Sequence, residues 1–378
     1  MSIINTKLDT PSHPPVKLEL SQEAANHNMK VLRAHGNSIQ KLIEAHPGSF
    51  ISPGAEFRPA KLLEPLLMHH HNWCQVKASL TRGSVWPLQP IQDSERVAKN
   101  IKFIARGNHK SPLKYEDEYI KIIKSEIRQG WMLPLPLHYI NMLKHGELAP
   151  IGIDDKVWSE QPDSSKKVKL RLTHDQSIEA SQETSVNGRV IKEKLAPLFY
   201  GSCLSRMLHY IVDLRLRHPN VAILGAKSDF KAAFCRVSLH GDIAEKCAIM
   251  CNEYALPSFW LTFGGSPCPP EFCLYSELSA DSASDLLHCP AWNPKELCSP
   301  HSTTLLEPVL ESSSVPFSLA RSLDVVMEPD DYGTADIFID DAMVIIPDLN
   351  SNRDRAVQAL LLAIHTLCRP LDPAEPIF

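Results

Sequence analysis

The stretch Asp336-Ile337-Phe338-Ile339-Asp340-Asp341-Ala342-Met343-Val344-Ile345-Ile346 decides how the rest of the chain is read. Two apolar arms flank an Asp-Asp pair, which is the pattern of a β-hairpin carrying two carboxylates at its tip. A helix follows at about Arg353–Leu367 and ends before Arg369-Pro370. Upstream, residues 288–331 are rich in Pro, Ser and acidic residues with little periodicity, and read as an inserted surface loop. Cys289, Cys298 and His301 fall in that loop at spacings that fit no zinc pattern.

Further upstream the same hydrophobic patterning predicts more elements. A helix runs from Pro270 to about Leu287, its two leading prolines suiting a first turn. Cys247–Cys251 and Ser258–Phe263 read as two strands. Residues 199–217 form an amphipathic helix with Leu204, Met207, Leu208, Ile211 and Leu214 on one face, stopped by His218-Pro219-Asn220. Val221–Leu224 is a strand-length apolar run leading into Lys227-Ser228-Asp229. Leu148–Ile153 and Val168–Thr173 read as hairpin arms around a polar loop, Asp154–Lys167. Tyr119, Ile120, Ile123 and Ile127 recur at helical spacing, predicting a helix over Glu116–Arg128. Another helix is expected around Glu23–His46, in an otherwise disordered segment 1–55; residues 56–145 read as helical and irregular. The run His69-His70-His71 lies near Cys74 but has no second Cys/His pair to complete a zinc site.

A chain of 378 residues can build two or three regions with cores of their own. Thirty prolines against 15 glycines predict broken elements and extended connectors rather than long bundles. No apolar stretch reaches the ~18 residues of a membrane span, and the run Ala359–Ile364 reads as a buried helix. The first residues have no apolar signal core, and ten scattered cysteines point to a reducing setting, hence an intracellular protein, cytoplasmic or nuclear. The net charge of −5 argues against a nucleic-acid partner, but it is unevenly spread. Lys and Arg outnumber acids from Arg96 to Arg171, and acids dominate from Glu277 onward. The basic half reads either as a phosphate-following surface or as solvated helix faces.

Three carboxylates carry the chemistry. Asp229 ends a predicted strand, and Asp340 and Asp341 sit at the predicted hairpin tip. Side by side in one sheet, the three would raise one another's pKa values, and divalent cations relieve that conflict. Mg²⁺ takes hard oxygen ligands, and a bridging ion requires carboxylate oxygens within ~4–6 Å of one another. Two such ions can hold the attacking and leaving oxygens of a phosphoryl displacement. Taken singly, each Asp also reads as a solvated turn residue capping local backbone.

The ordered set is more specific. Lys227-Ser228-Asp229-Phe230-Lys231-Ala232-Ala233-Phe234 resembles the first palm motif of reverse transcriptases, and Leu261-Thr262-Phe263-Gly264-Gly265-Ser266-Pro267-Cys268-Pro269 is similar to the second. Phe338-Ile339-Asp340-Asp341 resembles the third, and Lys169-Leu170-Arg171-Leu172-Thr173-His174-Asp175-Gln176-Ser177 resembles a fingers motif. The motif style is closest to gypsy-like and DIRS-like retrotransposons, and the resemblance covers about Gly146–Cys368.

This resemblance implies an α+β polymerase: a palm with a mainly antiparallel sheet of about four strands backed by two helices, preceded by fingers and by an N-terminal helical and irregular region. The fingers and palm would occupy residues 146–378, with no thumb, RNase H or integrase counterpart, so missing C-terminal domains of a polyprotein are implied. Asp229 and Asp340 would bind two Mg²⁺ (or Mn²⁺) ions, with Asp341 supporting them. Arg171 would reach the incoming triphosphate, helped by Lys166 and Lys167, and Phe230, Phe263 and Gly264 would line the nucleotide. Phe234 would act as a steric gate against a ribose 2′-hydroxyl, or else pack as a core aromatic. The implied partners are an RNA template, a primer strand and deoxynucleotides. Thr262 departs from the family's usual Pro, and the interval from Phe263 to Asp340 is lengthened by the acidic insertion. The alternative function is a palm-fold nucleic-acid-binding relic without chemistry.

Overall fold

The computed structural model of the chain describes residues 8–158, 167–179, 184–198, 200–299, 331–349 and 352–369. Helices lead: α1 (Gln22–Ala34), α2 (Ile39–Ala45), α3 (Ala60–Leu67), α4 (Trp73–Arg82), α5 (Asp93–Arg106), α6 (Ser111–Lys114) and α7 (Glu116–Arg128). Short strands β1 (Leu135–Pro136) and β2 (Leu148–Ala149) precede a long hairpin of β3 (Ile151–Trp158) and β4 (Lys167–His174). The second half runs α8 (Cys203–Arg217), β5 (Ile223–Asp229), α9 (Gly241–Lys246), β6 (Ala248–Cys251), β7 (Tyr254–Leu256), α10 (Cys268–His288), β8 (Thr334–Phe338), β9 (Asp341–Pro347) and α11 (Asn352–Leu367). The class is α+β.

Local chemistry explains the boundaries. In α7, Tyr119, Ile123 and Ile127 are buried, three acids occupy the first turn and Arg128 the last, so stripe and helix dipole agree. The single helix expected over 23–46 is two. Gly36 and Asn37 both take positive φ, +66° and +57°, and break the chain direction. Ser21 and Ser38 then cap the two pieces by accepting from Ala24 N–H and Lys41 N–H.

Among the described residues, the sheet that carries Asp229 and Asp341 has three strands rather than about four, in the antiparallel order β5-β9-β8. Ala342, Val344 and Ile346 alternate inward with Ala335 and Ile337, and α10 and α11 pack on the sheet. Helix α8 meets the other face, where Arg206 pairs with Asp336 at 2.6 Å. Its buried residues are Cys203, Met207, Tyr210 and Leu214, not the stripe through Leu204 and Leu208, which are 65% and 53% exposed.

A second sheet corrects the strand expected at Ser258–Phe263. After β6 the chain turns at Asn252 (φ +51°) and returns at once as β7. Pro257, which has no N–H to donate, follows the end of that strand. Ser258 and Trp260 make only isolated bridges, to Met132 and Ser238. The sheet order is β1-β7-β6-β2, so strands from before and after residue 146 share it. One hydrophobic core reaches from Leu32 to Cys368. Buried Glu245 in α9 accepts from Ile39 N–H at 2.9 Å and from His145 N–H at 2.8 Å. The N-terminal region is therefore packed into the same core as the rest. Among the described residues, no helix is long and apolar enough to cross a membrane. All ten cysteines are free thiols.

Candidate active site

Asp229 is the last residue of β5 and pairs in register with Asp341, the first residue of β9. Phe338 and Asp341 close the β8–β9 hairpin, leaving Ile339 and Asp340 as its turn. Ile339 sits at φ +58°, a strained conformation for a β-branched side chain, at the tip that carries the acids. The Phe230 N–H donates to the Asp340 carbonyl at 3.1 Å and ties the turn to the end of β5. One carboxylate oxygen each from Asp229, Asp340 and Asp341 lies within 4.8 Å of the others. Two oxygens on one cation at ~2.1 Å lie at most ~4.2 Å apart, so side-chain adjustments of under about an ångström would bring the three onto a shared ion.

The electrostatics of the cluster are unbalanced. Burial raises the Asp340 pKa above its ordinary value, and repulsion from Asp229 and Asp341 adds to it. A backbone hydrogen bond and the positive charge of Arg171 oppose the rise without cancelling it. Lys227 lies two residues before Asp229, hence on the same face of β5, and its ammonium meets Asp341 at 2.8 Å. That hydrogen bond to Asp341 holds the lysine pKa above its usual value. Three converging carboxylates with one lysine bound among them form a hard-oxygen donor set with surplus negative charge. Such a set fits Mg²⁺ or Mn²⁺ rather than a softer metal.

The other sequence-derived residues divide. Arg171 lies within β4, opposite Asp154 in register, and its charge reaches Asp340. Phe234 is half-buried, with its ring 6.3 Å from Phe263 and 6.0 Å from Phe272. Phe263 is 45% exposed, a large aromatic surface beside Phe234. Gly264 has φ +142°, and a Cβ there would lie 1.9 Å from the His174 carbonyl oxygen, so glycine is required. Phe230 does not fit a nucleotide-lining role. It is only 5% exposed and packs edge-on against Phe272. Alternation along the chain turns its ring into the core while Asp229 faces out. Lys166 lies outside the described residues.

Two residues given no role by sequence emerge, Lys227 beside the acids and Asn187 at the turn of Phe263. Lys227 could have been found from its period-2 relation to Asp229. Asn187 could not: it bonds Ser177 and, across the chain, Gly264 and Ser266. A second cluster, His70, His71 and Asp281, also brings three ligand atoms within 4.8 Å. There the Asn72 N–H donates to His70 Nδ1, which places the ring proton on Nε2, 2.9 Å from Asp281. The lone pair a cation needs on Nε2 is taken by that proton, and the cluster reads as a hydrogen-bonded turn. Comparisons with protein-family models, characterised proteins and solved structures gave no match for this chain.

Proposed function

We propose that the chain carries the fingers and palm of an RNA-directed DNA polymerase of retrotransposon type, extending a primer by divalent-cation-dependent nucleotidyl transfer. The observation that carries this reading is the meeting of Asp229 with Asp340 and Asp341, from strands far apart in sequence, within 4.8 Å at one hairpin tip. The ordered motifs through Arg171, Asp229, Phe263 and Asp340 support it.

Asp229 and Asp340 are the residues that would hold Mg²⁺. Asp341, tethered to Lys227, contributes charge from the side. A bound cation pair polarises the phosphoryl group and stabilises the attacking and leaving oxygens. Arg171 draws the triphosphate toward the carboxylates by charge and by its planar donor fork. The Phe234 ring crowds the position of a ribose 2′-hydroxyl and favours deoxynucleotides. Phe263 presents an exposed ring on which a base can stack. The partners are an RNA template, a DNA or RNA primer and deoxynucleotides.

The test is incorporation of dTTP on an oligo(dT)-primed poly(rA) template with Mg²⁺ or Mn²⁺. Incorporation is expected in the wild type. Asp229→Asn or Asp340→Asn should lower it by about a thousandfold, equivalent to several kcal/mol of charge stabilisation. Absence of metal-dependent incorporation on both RNA and DNA templates would overturn the enzyme reading. Salt-dependent binding of primer–template without incorporation would instead leave a nucleic-acid-binding protein without chemistry.

A further inference from the structure

One side chain, Asn187, connects the segment that follows the strand of Arg171 to the turn of Phe263. Asn187 Nδ2 donates to the Gly264 carbonyl at 2.8 Å and to Ser177 Oγ at 2.8 Å. Its Oδ1 accepts from Ser266 N–H at 2.8 Å, and its own backbone N–H donates to the Gln176 carbonyl at 3.0 Å. One amide thus uses both its donor and its acceptor ends to bridge two segments distant in sequence, 176–177 and 264–266. The bridge is reinforced beneath. His174 N–H donates to the Phe263 carbonyl at 2.8 Å, and buried Gln176 donates to Thr262 Oγ1 at 3.1 Å. The missing Cβ of Gly264 is what lets the two backbones approach this closely.

What this clamp fixes is an exposed aromatic ring. Residues 263, 264 and 266 are exposed and the one buried residue between them, Gly265, has no side chain, so little side-chain packing holds the turn. An exposed turn held by few buried contacts samples other conformations unless hydrogen bonds restrain it. His174, whose N–H fastens the Phe263 carbonyl, lies three positions after Arg171 on the same strand. The clamp therefore sets the Phe263 ring in register with the strand that carries Arg171.

We propose that Asn187 is a positioning residue for nucleotide binding: it locks the Phe263–Gly264 turn to the end of β4, so that the Phe263 ring and Arg171 receive one nucleotide in a fixed relation. This rests on the reading of the cluster as a polymerase site. The hydrogen bonds of Asn187 go to Ser177, Gly264, Ser266 and Gln176 and not to the carboxylates that perform the transfer, so its loss is felt in nucleotide affinity and leaves the transfer step intact.

The experiment is steady-state dTTP incorporation by the full chain with wild type, Asn187→Ala, Phe263→Ala and the double variant. Asn187→Ala should raise the nucleotide KM about tenfold, with kcat within about twofold. In the Phe263→Ala background the same change should alter KM less than about twofold, since the clamp acts through that ring. Ser177→Ala removes one of the three side-chain bonds at an exposed residue. It should raise KM a few-fold, a readout that stands even where Asn187→Ala folds poorly. Asn187→Asp keeps the shape but turns a carboxylate oxygen on the Gly264 carbonyl, and should be at least as impaired as alanine. Unchanged KM in both Asn187→Ala and Ser177→Ala, with an active wild type, overturns the proposal alone. So does full additivity with Phe263→Ala. A wild type without metal-dependent incorporation overturns the polymerase reading first, and this proposal with it.

Discussion

Glu147 and Asp340 are both carboxylates drawn partly or wholly out of water, and the protein compensates them in opposite ways. Glu147 is fully buried, and it receives Lys99 Nζ at 2.7 Å and two bonds from Arg189 Nη2 at 2.7 and 2.6 Å. Burial alone would raise its pKa, but the two cations and their hydrogen bonds hold it below the ordinary value. Lys99 also donates to the Thr184 carbonyl and Arg189 to the Gln89 and Ser185 carbonyls, so the cations are further satisfied. At Asp340 the balance runs the other way. Burial and two neighbouring carboxylates push its pKa up, while the Lys227 ammonium is spent on Asp341. A closed network of this kind fastens elements together. An open one with unmet charge costs stability, and it makes sense where a cation completes it.

The largest effect that would test this contrast is at the closed network. Glu147→Gln should lose about 3–5 kcal/mol of unfolding free energy, because it leaves Lys99 and Arg189 buried without a counter-charge. Urea denaturation measures it. A loss under about 1 kcal/mol would show that the triad does not fasten the N-terminal helices to the body.

Asp340→Asn should act in the opposite direction. Without metal it should stabilise the fold by under about 1 kcal/mol, once solvent screening is counted, and so raise Tm. The linkage has a definite sign. The folded-state pKa of Asp340 lies above its unfolded value, so the folded protein binds that proton more tightly. Its contribution to stability is fully present below the ordinary carboxylate range and is lost as pH rises through the raised value. Above that window Mg²⁺ should restore the loss and raise Tm in the wild type but not in Asp340→Asn. Tm against pH, in chelator and in Mg²⁺, reads this out. Identical curves for the two proteins would remove the strained acid cluster from the account.

The smallest stability effect belongs to Lys227→Met. The ion pair with Asp341 is largely exposed, so Tm should barely move. Removing a positive charge next to the carboxylates should nonetheless tighten Mn²⁺ binding severalfold. Equal Mn²⁺ affinity in wild type and Lys227→Met would mean that Lys227 does not share the electrostatics of the cluster.

How far the molecule could be read in advance differs from element to element. The hairpin at 334–347, the helices α7, α10 and α11, and the second arm of the β3–β4 hairpin follow from periodicity and breakers that lie within each segment. The first arm does not, since Asp154–Trp158, expected as loop, continue β3, and Leu148-Ala149 pair with β6 instead. The face of α8 does not. Two stripes share Met207 and Leu214, and the sheet chose the one with Cys203 and Tyr210, where Arg206 also reaches Asp336. The strand expected at Ser258–Phe263 is similar: its alternation is real, but the partner it needed was taken by Tyr254–Leu256 directly across a tight turn. Local hairpin closure costs less chain entropy than distant pairing, so the nearer segment wins.

The sequence by itself determined the α+β class and the order of the chemically distinctive segments. It also determined that Asp229 stands at a strand end and Asp340 and Asp341 at a hairpin tip, because each depends on residue types a few positions apart. Only the tertiary structure decided that β5 and β9 are neighbours in register and so bring the three carboxylates together. It likewise decided that Phe230 turns inward, that Lys99 and Arg189 meet on Glu147, and that Asn187 joins Ser177 to Gly264. Those contacts join residues distant in the chain. Their energies come from burial and from hydrogen bonds that exist only once the whole core has closed.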